Sequence, residues 1–535
     1  MTKRTSRLIL FMILGFQAVA LIYLNLTQLS THLSQDTTVY IFQTITSWQQ
    51  KKLILDDWMY QTTFGLDSPV PLATLLYGIC KDVFIAYGLT NIIFTGAFVF
   101  VFYKLLNRFE LSLETKLVLL NLSLGLHFAD YYMVTSSLEY GSVMFVDNAA
   151  YVIKTIISLL VLICSIDLIR GKVNKAYLLI TAALVMVSCI SSGFWILVTS
   201  VLPIMIWRVG DLAREKSFKP FAKDKTLLYS ILLAFLSVIG QFLMVVVFHH
   251  PTIDSAMKMV TLLNFWKNAG SVILGYYEVA GALGPVDGYV LSLEGIAMVI
   301  LFIVASIALF SLIYVMRDKE QRADRATQVI MATVIENFIL FFICAAKWGA
   351  LVYEVRYLIV IYLISLITLG ILFEKQIYKI YDKNALIALA SLGIVISFAS
   401  SVVIYLRYDD VERVDRCKAF ISAVETTDAK VVYSFGEGVY IDSRVIRCFD
   451  TDHVYKTVSD TGGGLILYHF GDTSYLDNPA DYDGPVVFIY HDDEEAELIP
   501  EHILEEGTEI MTYDDGYHVL YLEHNISDFY SEYSI

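Results

Sequence analysis

Apolar runs of about 20 residues, each long enough to cross a ~30 Å hydrocarbon layer as a helix, recur from the N-terminus to residue 406 and then stop. Inside lipid every backbone N–H and C=O must be satisfied within its own segment, so such runs fold as membrane-spanning helices or not at all. Hydropathy places about eleven of them, near residues 8–29, 83–105, 117–133, 149–169, 176–190, 193–208, 226–248, 290–316, 327–345, 357–373 and 385–406. The composition agrees: 57% of residues are hydrophobic, 17% are charged and the mean hydropathy is +0.61, outside the range of soluble domains. The expectation is an α-helical polytopic membrane protein.

Charge orients the bundle. With Lys3, Arg4 and Arg7 in the cytoplasm, alternation puts Lys104/Arg108/Lys116, Arg170/Lys172/Lys175, the stretch from Arg208 to Lys225, the stretch from Arg317 to Arg325, and Lys375/Lys379/Lys383 on the same side. Of the 30 Lys and Arg before residue 407, 22 fall in these groups. The N-terminus is therefore expected inside and the C-terminus outside. Residues 407–535 hold 29 Asp and Glu against 8 Lys and Arg, a second domain of different chemistry. Its strand-like runs, Val431 to Phe435, Gly464 to Tyr468, Pro485 to Tyr490 and His518 to Leu522, alternate with Gly and Asp turns and predict a small extracytoplasmic α/β or α+β domain. Such acidity excludes nucleic acid as a partner and electrostatic adsorption to anionic lipid. Two domains are expected, 1–406 and 407–535, with a first outer loop at 31–82.

The first apolar run is about 20 residues long and no small-x-small site follows it, so it reads as an anchor and not a cleaved leader. The six cysteines, Cys80, Cys164, Cys189, Cys344, Cys417 and Cys448, contain no C-x-x-C pair, which argues against a zinc or redox motif. Cys417 and Cys448 share the outer domain, and both a disulfide and two separate thiols suit them.

A loop of some fifty residues between the first two spans is longer than a connection needs, and long ordered loops are commonly functional. Within it Ile41, Ile45 and Trp48 recur at helical spacing with Gln43, Thr44, Gln49 and Gln50 opposite, an amphipathic helix suited to the membrane interface. Asp36 stands at its start. That position suits an N-cap; it also holds a carboxylate roughly 10 Å beyond the span at 1.5 Å per helical residue, where it can serve a membrane-borne substrate.

Residues 36–79, DTTVYIFQTITSWQQKKLILDDWMYQTTFGLDSPVPLATLLYGI, resemble the first outer loop of GT-C glycosyltransferases, the polyprenyl-phosphate-sugar-dependent enzymes that include protein O-mannosyltransferases and the aminoarabinose transferase. In that resemblance Asp36 and Tyr40 take the positions of an Asp and a Tyr that open the loop, Thr37 stands where the family has Glu, and Asp67-Ser68-Pro69-Val70-Pro71-Leu72 takes the place of a Pro-Pro-Leu-like close. The stretch SLEYGSVMFVDNAAYVIKTIISLL is similar to the second outer loop, with Asp147 at the acidic position and Glu139 as a second candidate. VRYLIVIYLISL is similar to an Arg-Tyr pair that opens a late span, here Arg356 and Tyr357, with Ile361 where the family often has Pro.

The resemblance implies a transferase that moves a sugar from a polyprenyl-phosphate donor to a glycan, lipid or protein acceptor on the outer face. Asp36 would be the general base, with Tyr40, Trp58, Asp67, Glu139, Asp147, Arg356 and Tyr357 around the substrate. A divalent cation, Mg or Mn, is left open. An aspartate of pKa about 3.9 is a weak base at neutral pH, and cover from Trp58, Tyr40 and Tyr60 would raise it. Arg356 can grip a phosphate in bidentate fashion, or snorkel beside Glu354. Lys347, Lys258 and Lys267 are secondary cations for the same purpose, or simply solvated. His249-His250 with Asp254 reads as a loop, because adjacent histidines point apart. Glu336, inside a span, is costly and marks either a polar packing contact or a substrate or proton contact. The Asn-x-Ser/Thr triplets at Asn25, Asn121 and Asn525 are too short to carry function. The C-terminal SEYSI carries no retention motif, which points to a bacterium. The competing class is a transporter or flippase, which predicts passage of a lipid-linked or polar substrate without turnover.

Overall fold

The computed structural model describes residues 3–33, 35–56, 58–60, 63–126, 140–146, 149–214, 223–249, 257–283, 289, 291–346, 355–407, 411–460, 465–468, 471–472, 482, 484–492, 494–513 and 516–526. They divide into two compact units: Met1–Leu26, Thr62–Pro69 and Gly88–Arg407 form the first, and Thr27–Gln61, Val70–Tyr87 and Tyr408–Ile535 form the second.

The first unit is a helical bundle. Among the described residues of the chain, nine helices are long and apolar enough to cross a membrane: Lys3–Thr27, Val83–Leu106, Val152–Ile169, Lys175–Ser192, Lys225–Val247, Leu293–Arg317, Arg325–Ile343, Arg356–Ile380 and the one that starts at Lys383. Each falls within a few residues of a span read from hydropathy. The starts are fixed by local chemistry, since Asn174, Asp224 and Ser292 accept from the backbone N–H groups of Tyr177, Leu227 and Gly295. Where helices Lys3–Thr27 and Val83–Leu106 cross, a Cβ on Gly88 would lie 2.1 Å from the Asn25 carbonyl oxygen, so only glycine allows that approach.

The expected span at 193–208 is a helix with a flaw. Its turn at Leu197–Val201 is π-helical and Leu202–Arg214 continues it. Pro203 lacks the N–H that would reach back to Thr199, and the side chain of Asn337 replaces it, donating to the Thr199 carbonyl at 2.7 Å. A second buried asparagine, Asn268, donates to the carbonyls of Phe341 and Phe342 at 2.8 Å each and so closes the end of Arg325–Ile343. Of the expected span at 117–133 the helix Leu113–Ser123 is seen, and residues 127–139 lie outside the described residues. The two most enclosed spans are Val152–Ile169 and Arg356–Ile380, 89% and 78% buried, and each carries a cation near its N-terminus.

The second unit contains a six-stranded mixed sheet of β1 (Val431–Phe435), β2 (Val454–Asp460), β3 (Leu465–Tyr468), β4 (Val486–His491), β5 (Thr508–Tyr513) and β6 (Tyr517–Leu522), in the order β3-β2-β1-β4-β6-β5. The centre is parallel, with Val431 level with Val454 on one side and Val486 on the other, and the outer pairs are antiparallel. That arrangement explains why VVYSF in β1 is buried at every position: a parallel centre is covered on both faces. Helices Val411–Val424 and Glu437–Phe449 supply cover, with Cys417, Phe420, Val424, Val445 and Ile446 in one core with Val432 and Val487.

Helix Gln35–Gln50 belongs to this unit and differs from the amphipathic pattern. Ile41 and Ile45 enter the same core, yet Gln43, Thr44 and Ser47 on other faces are buried as well. Protein surrounds most of its circumference, and Thr44 satisfies its hydroxyl by donating to the Tyr40 carbonyl at 2.9 Å. Cys417 and Cys448 are both buried free thiols.

Candidate active site

Helix Lys175–Ser192 ends at Gly193, whose φ of +65° is a left-handed stop that glycine takes without strain. The last turn presents Ser188, Ser191 and Ser192, three hydroxyls at i, i+3 and i+4 on one face. Segment 63–69 docks onto them: the Phe64 N–H donates to the Ser191 carbonyl at 3.0 Å, and the Leu66 N–H donates to Ser191 Oγ at 3.0 Å. A turn at Gly65, closed by Ser68 Oγ donating to the Gly65 carbonyl at 2.6 Å, then drives Asp67 into the bundle. Its carboxylate accepts from Ser188 Oγ at 2.6 Å and Ser192 Oγ at 2.9 Å, and Lys154 Nζ stands 3.8 Å away. Asp67 is 1% exposed and Lys154 is 5% exposed, so the pair is desolvated.

Around this pair lies an aromatic wall. The Lys154 ammonium is 4.7 Å from the centre of the Tyr151 ring, and the Arg356 guanidinium carbon is 5.8 Å from the same ring and 5.4 Å from that of Tyr357. Tyr357 packs on Trp195 at 5.1 Å, and Trp195 stacks on Phe341 at 6.3 Å. Two cations and one carboxylate thus meet at the end of the bundle formed by the N-termini of Val152–Ile169 and Val355–Leu372 and the C-terminus of Lys175–Ser192. Two helix N-termini add their positive dipole ends to the two cations. Chemically, this is a place for an anion with a flat or apolar neighbour.

The sequence matches no family model and no curated protein. The backbone is similar to crystal structures of ArnT from Cupriavidus metallidurans. Against the apo state the TM-score is 0.61 at 9% identity, over 99% of this chain and 100% of that one. Against the state bound to undecaprenyl phosphate it is 0.59 at 10% identity, over 96% of this chain and 97% of that one. The chain has the ArnT fold. The expected architecture, a polytopic helical domain followed by a small sheet domain, is what the two likenesses and the described elements show.

On the ArnT fold the residues expected at the site divide into three groups. Asp67, Arg356 and Tyr357 come together in the first unit, as described. Asp36, Tyr40 and Trp58 belong to the second unit. The backbone of Asp36 opens helix Gln35–Gln50, but its side chain lies outside the described residues. Tyr40 packs half-buried on the core of that unit, and Trp58 stacks on Phe42 at 5.5 Å and meets Tyr60 at 6.5 Å. Burial pushes the Tyr60 phenol up to about 12, and its oxygen accepts from the Leu55 N–H at 2.6 Å. Glu139 and Asp147 form the third group and lie outside the described residues, as do Lys347, Glu354, His250, Asp254 and the side chain of Lys258.

Of the remaining candidates, Lys267 is exposed. Glu336 is half-buried, its Oε2 has no hydrogen-bond partner among the described residues, and its neighbour Asn337 is committed to the Thr199 carbonyl. Among the described residues no group of three His, Cys, Asp or Glu side chains is placed to hold a metal. Sequence reasoning passed over Lys154, Ser188 and Ser192. The signal for Lys154 was present, a cation in the first turn of an otherwise apolar span, which is costly unless it has a task. For the serines the signal was the i, i+4 pair beside Gly193.

Proposed function

We propose that this chain is a GT-C glycosyltransferase that moves a sugar from a polyprenyl-phosphate-linked donor to a glycan, lipid or protein acceptor at the outer face of a bacterial cell membrane, with its N-terminus in the cytoplasm. The observation that carries the reading is the likeness, over nearly the whole of both chains, to an ArnT structure bound to undecaprenyl phosphate. Support comes from the two cations, Lys154 and Arg356, gathered on one aromatic ring at one bundle end.

In the reaction the acceptor hydroxyl oxygen forms a bond to the anomeric carbon, and the bond from that carbon to the phosphate oxygen breaks. The electron pair leaves with the lipid phosphate, and the hydroxyl proton goes to a base, for which Asp36 is proposed. The departing phosphate needs no proton if cations meet it, and Arg356 offers a planar fork while Lys154 offers a compact charge. Asp67 is a positioning residue: it fixes Lys154 and is itself held by two serine hydroxyls. Glu139, Asp147, Tyr40 and Trp58 remain proposed contacts for the sugar or acceptor, and a Mg or Mn requirement stays open.

The test is transfer from a radiolabelled polyprenyl-phosphate sugar in membranes containing the full chain. Donor-dependent labelled product is expected, lost in Asp36→Asn and in Arg356→Ala. Movement of intact donor across the bilayer without product would replace the reading with a lipid flippase, and equal transfer by Asp36→Asn would remove Asp36 as the base.

A further inference from the structure

Two helices of the second unit end in the same unusual way. Gln35–Gln50 and Val70–Cys80 are each followed by a lysine of positive φ, Lys51 at +59° and Lys81 at +62°. The turns close on the helices: the Lys52 N–H reaches back to the Ser47 carbonyl at 3.2 Å, and the Lys81 N–H to the Tyr77 carbonyl at 2.9 Å. Glycine fills this left-handed position without strain, and a residue with a Cβ does not. Both lysines bring their ammonium groups to one indole, that of Trp48, with Lys51 Nζ at 3.4 Å and Lys81 Nζ at 4.8 Å from the ring centre. The ring is fixed there because it lies on Gly78, where a Cβ would collide with it. A cation near a helix C-terminus is favoured by the dipole, but any position of the last turn serves for that. Backbone strain taken on twice, to gather two like charges on one ring, calls for an anionic third party.

The surroundings say which kind. Lys81 stands two residues before Val83–Leu106, a helix long and apolar enough to cross a membrane. Asp82, between them, caps that helix by accepting from the Ile85 N–H at 2.9 Å, and Lys52 is paired with Asp56. Lys51 and Lys81 have no ion-pair partner among the described residues. Leu75 and Ile79, at i and i+4 on the helix that Lys81 ends, are 64% and 79% exposed, and Leu53 is exposed beside Lys52. Outward apolar side chains, a tryptophan and cations at the start of a span are the chemistry of the lipid headgroup layer. All of them come from residues 48–81, not from the acidic stretch 407–535.

We propose that Lys51, Lys81 and Trp48 bind the headgroup phosphate of an anionic phospholipid, in the leaflet from which Val83–Leu106 enters the membrane, with Leu75 and Ile79 seated in the acyl region below. The gap between the two ammonium groups cannot exceed the sum of their distances to the ring, so the oxygens of a single phosphate meet both, each on a flexible stem. A zwitterionic headgroup brings its own ammonium against the lysine pair, and an anionic one is therefore favoured. Lipid binding here goes beyond the transfer reading and does not rest on it.

The experiment places the full chain in phosphatidylcholine nanodiscs doped, at equal mole fraction, with dibrominated phosphatidylglycerol or dibrominated phosphatidylcholine. Bromine quenches indole fluorescence on contact, and the difference between wild type and Trp48→Phe isolates Trp48. Phosphatidylglycerol is expected to associate about twentyfold more strongly than phosphatidylcholine, about fivefold for each lysine, with the preference falling as salt rises. Lys51→Gly and Lys81→Gly should each lower the preference about fivefold and yet unfold no earlier than wild type, because glycine suits both positions. Equal quenching by the two lipids, an unchanged preference in the glycine variants, or a preference lost only together with earlier unfolding would each overturn the proposal. So would full competition by dissolved glycerol 1-phosphate, or displacement by a trace of polyprenyl phosphate. None of these outcomes touches donor-dependent transfer, which is read separately in the membrane assay.

Discussion

The two ends of the helical bundle handle charge in opposite ways. At the end rich in Lys and Arg, cations are held close to carboxylates. Arg108 donates to both oxygens of Asp167 at 2.7 and 2.6 Å, Arg208 donates to Asp224 at 2.6 Å, Arg325 donates to Asp211 at 2.7 Å, and Lys375 bridges Glu110 and Glu320 at 3.1 and 3.0 Å. At the other end Lys154 is 3.8 Å from an aspartate whose oxygens already accept from two serines, and Arg356 shares an aromatic ring with it. Close, partly solvated pairs hold loops in place and have no capacity to spare. A long, buried pair keeps a cation in position while leaving donor capacity for a third party, as the proposed phosphate contact requires.

The sharpest way to break this contrast is to remove Lys154. Lys154→Met leaves Asp67 buried without its counter-charge, a change that costs about 3–5 kcal/mol. The midpoint of thermal unfolding in detergent should fall steeply, and transfer should be lost. Lys154→Met combined with Asp67→Asn removes both charges and should recover most of the stability while leaving transfer absent. If the double variant transfers sugar as the wild type does, the pair is structural and the contrast between the ends fails.

Arg356→Lys keeps the charge but loses the planar fork, so transfer should fall by about tenfold to a hundredfold with unfolding almost unchanged. The opposite pattern is expected at the other end. Arg108→Ala abandons a two-point contact to a largely buried carboxylate and should cost about 1.5–3 kcal/mol of stability, with transfer per folded molecule unaltered. Equal losses of transfer from both substitutions would show that the two ends are not specialised.

Much of the fold was legible because hydropathy and positive-charge clusters act over whole segments and do not depend on tertiary contacts. The nine long apolar helices among the described residues fall where apolar length puts them, and strands of the sheet domain fall at Val431, Val486 and His518 because β-branched runs between Gly and Asp turns say so. The site was legible in part. Asp67 and Arg356 were reached through a resemblance, whereas Lys154 was counted only as one outward lysine. Ser188 and Ser192 look like any helix end until Gly193 turns the chain and segment 63–69 meets them. Pairings of that kind join residues more than a hundred positions apart, and no local pattern announces them.

The smallest expected effect is a dependence on pH confined to the matched end. Burial pushes the Asp224 carboxyl up, but the Arg208 guanidinium and the N–H groups of Leu227 and Thr226 outweigh it and hold the group below its ordinary value. A carboxyl depressed in the native state binds fewer protons there than in the unfolded chain. Its stabilisation is therefore complete above the unfolded value of about 3.9 and is lost as pH falls through the native one. The contribution of Asp224 to the unfolding midpoint should thus be constant between pH 7 and about 5 and fall away below about pH 4, and Arg208→Ala should shrink the acid-side drop because the unfolded and native values of Asp224 move together. Transfer at neutral pH should not respond to Arg208→Ala at all. A variant that lost transfer at pH 7 while keeping its midpoint would mean that the matched end takes part in the reaction, and the division of labour between the two ends would have to be redrawn.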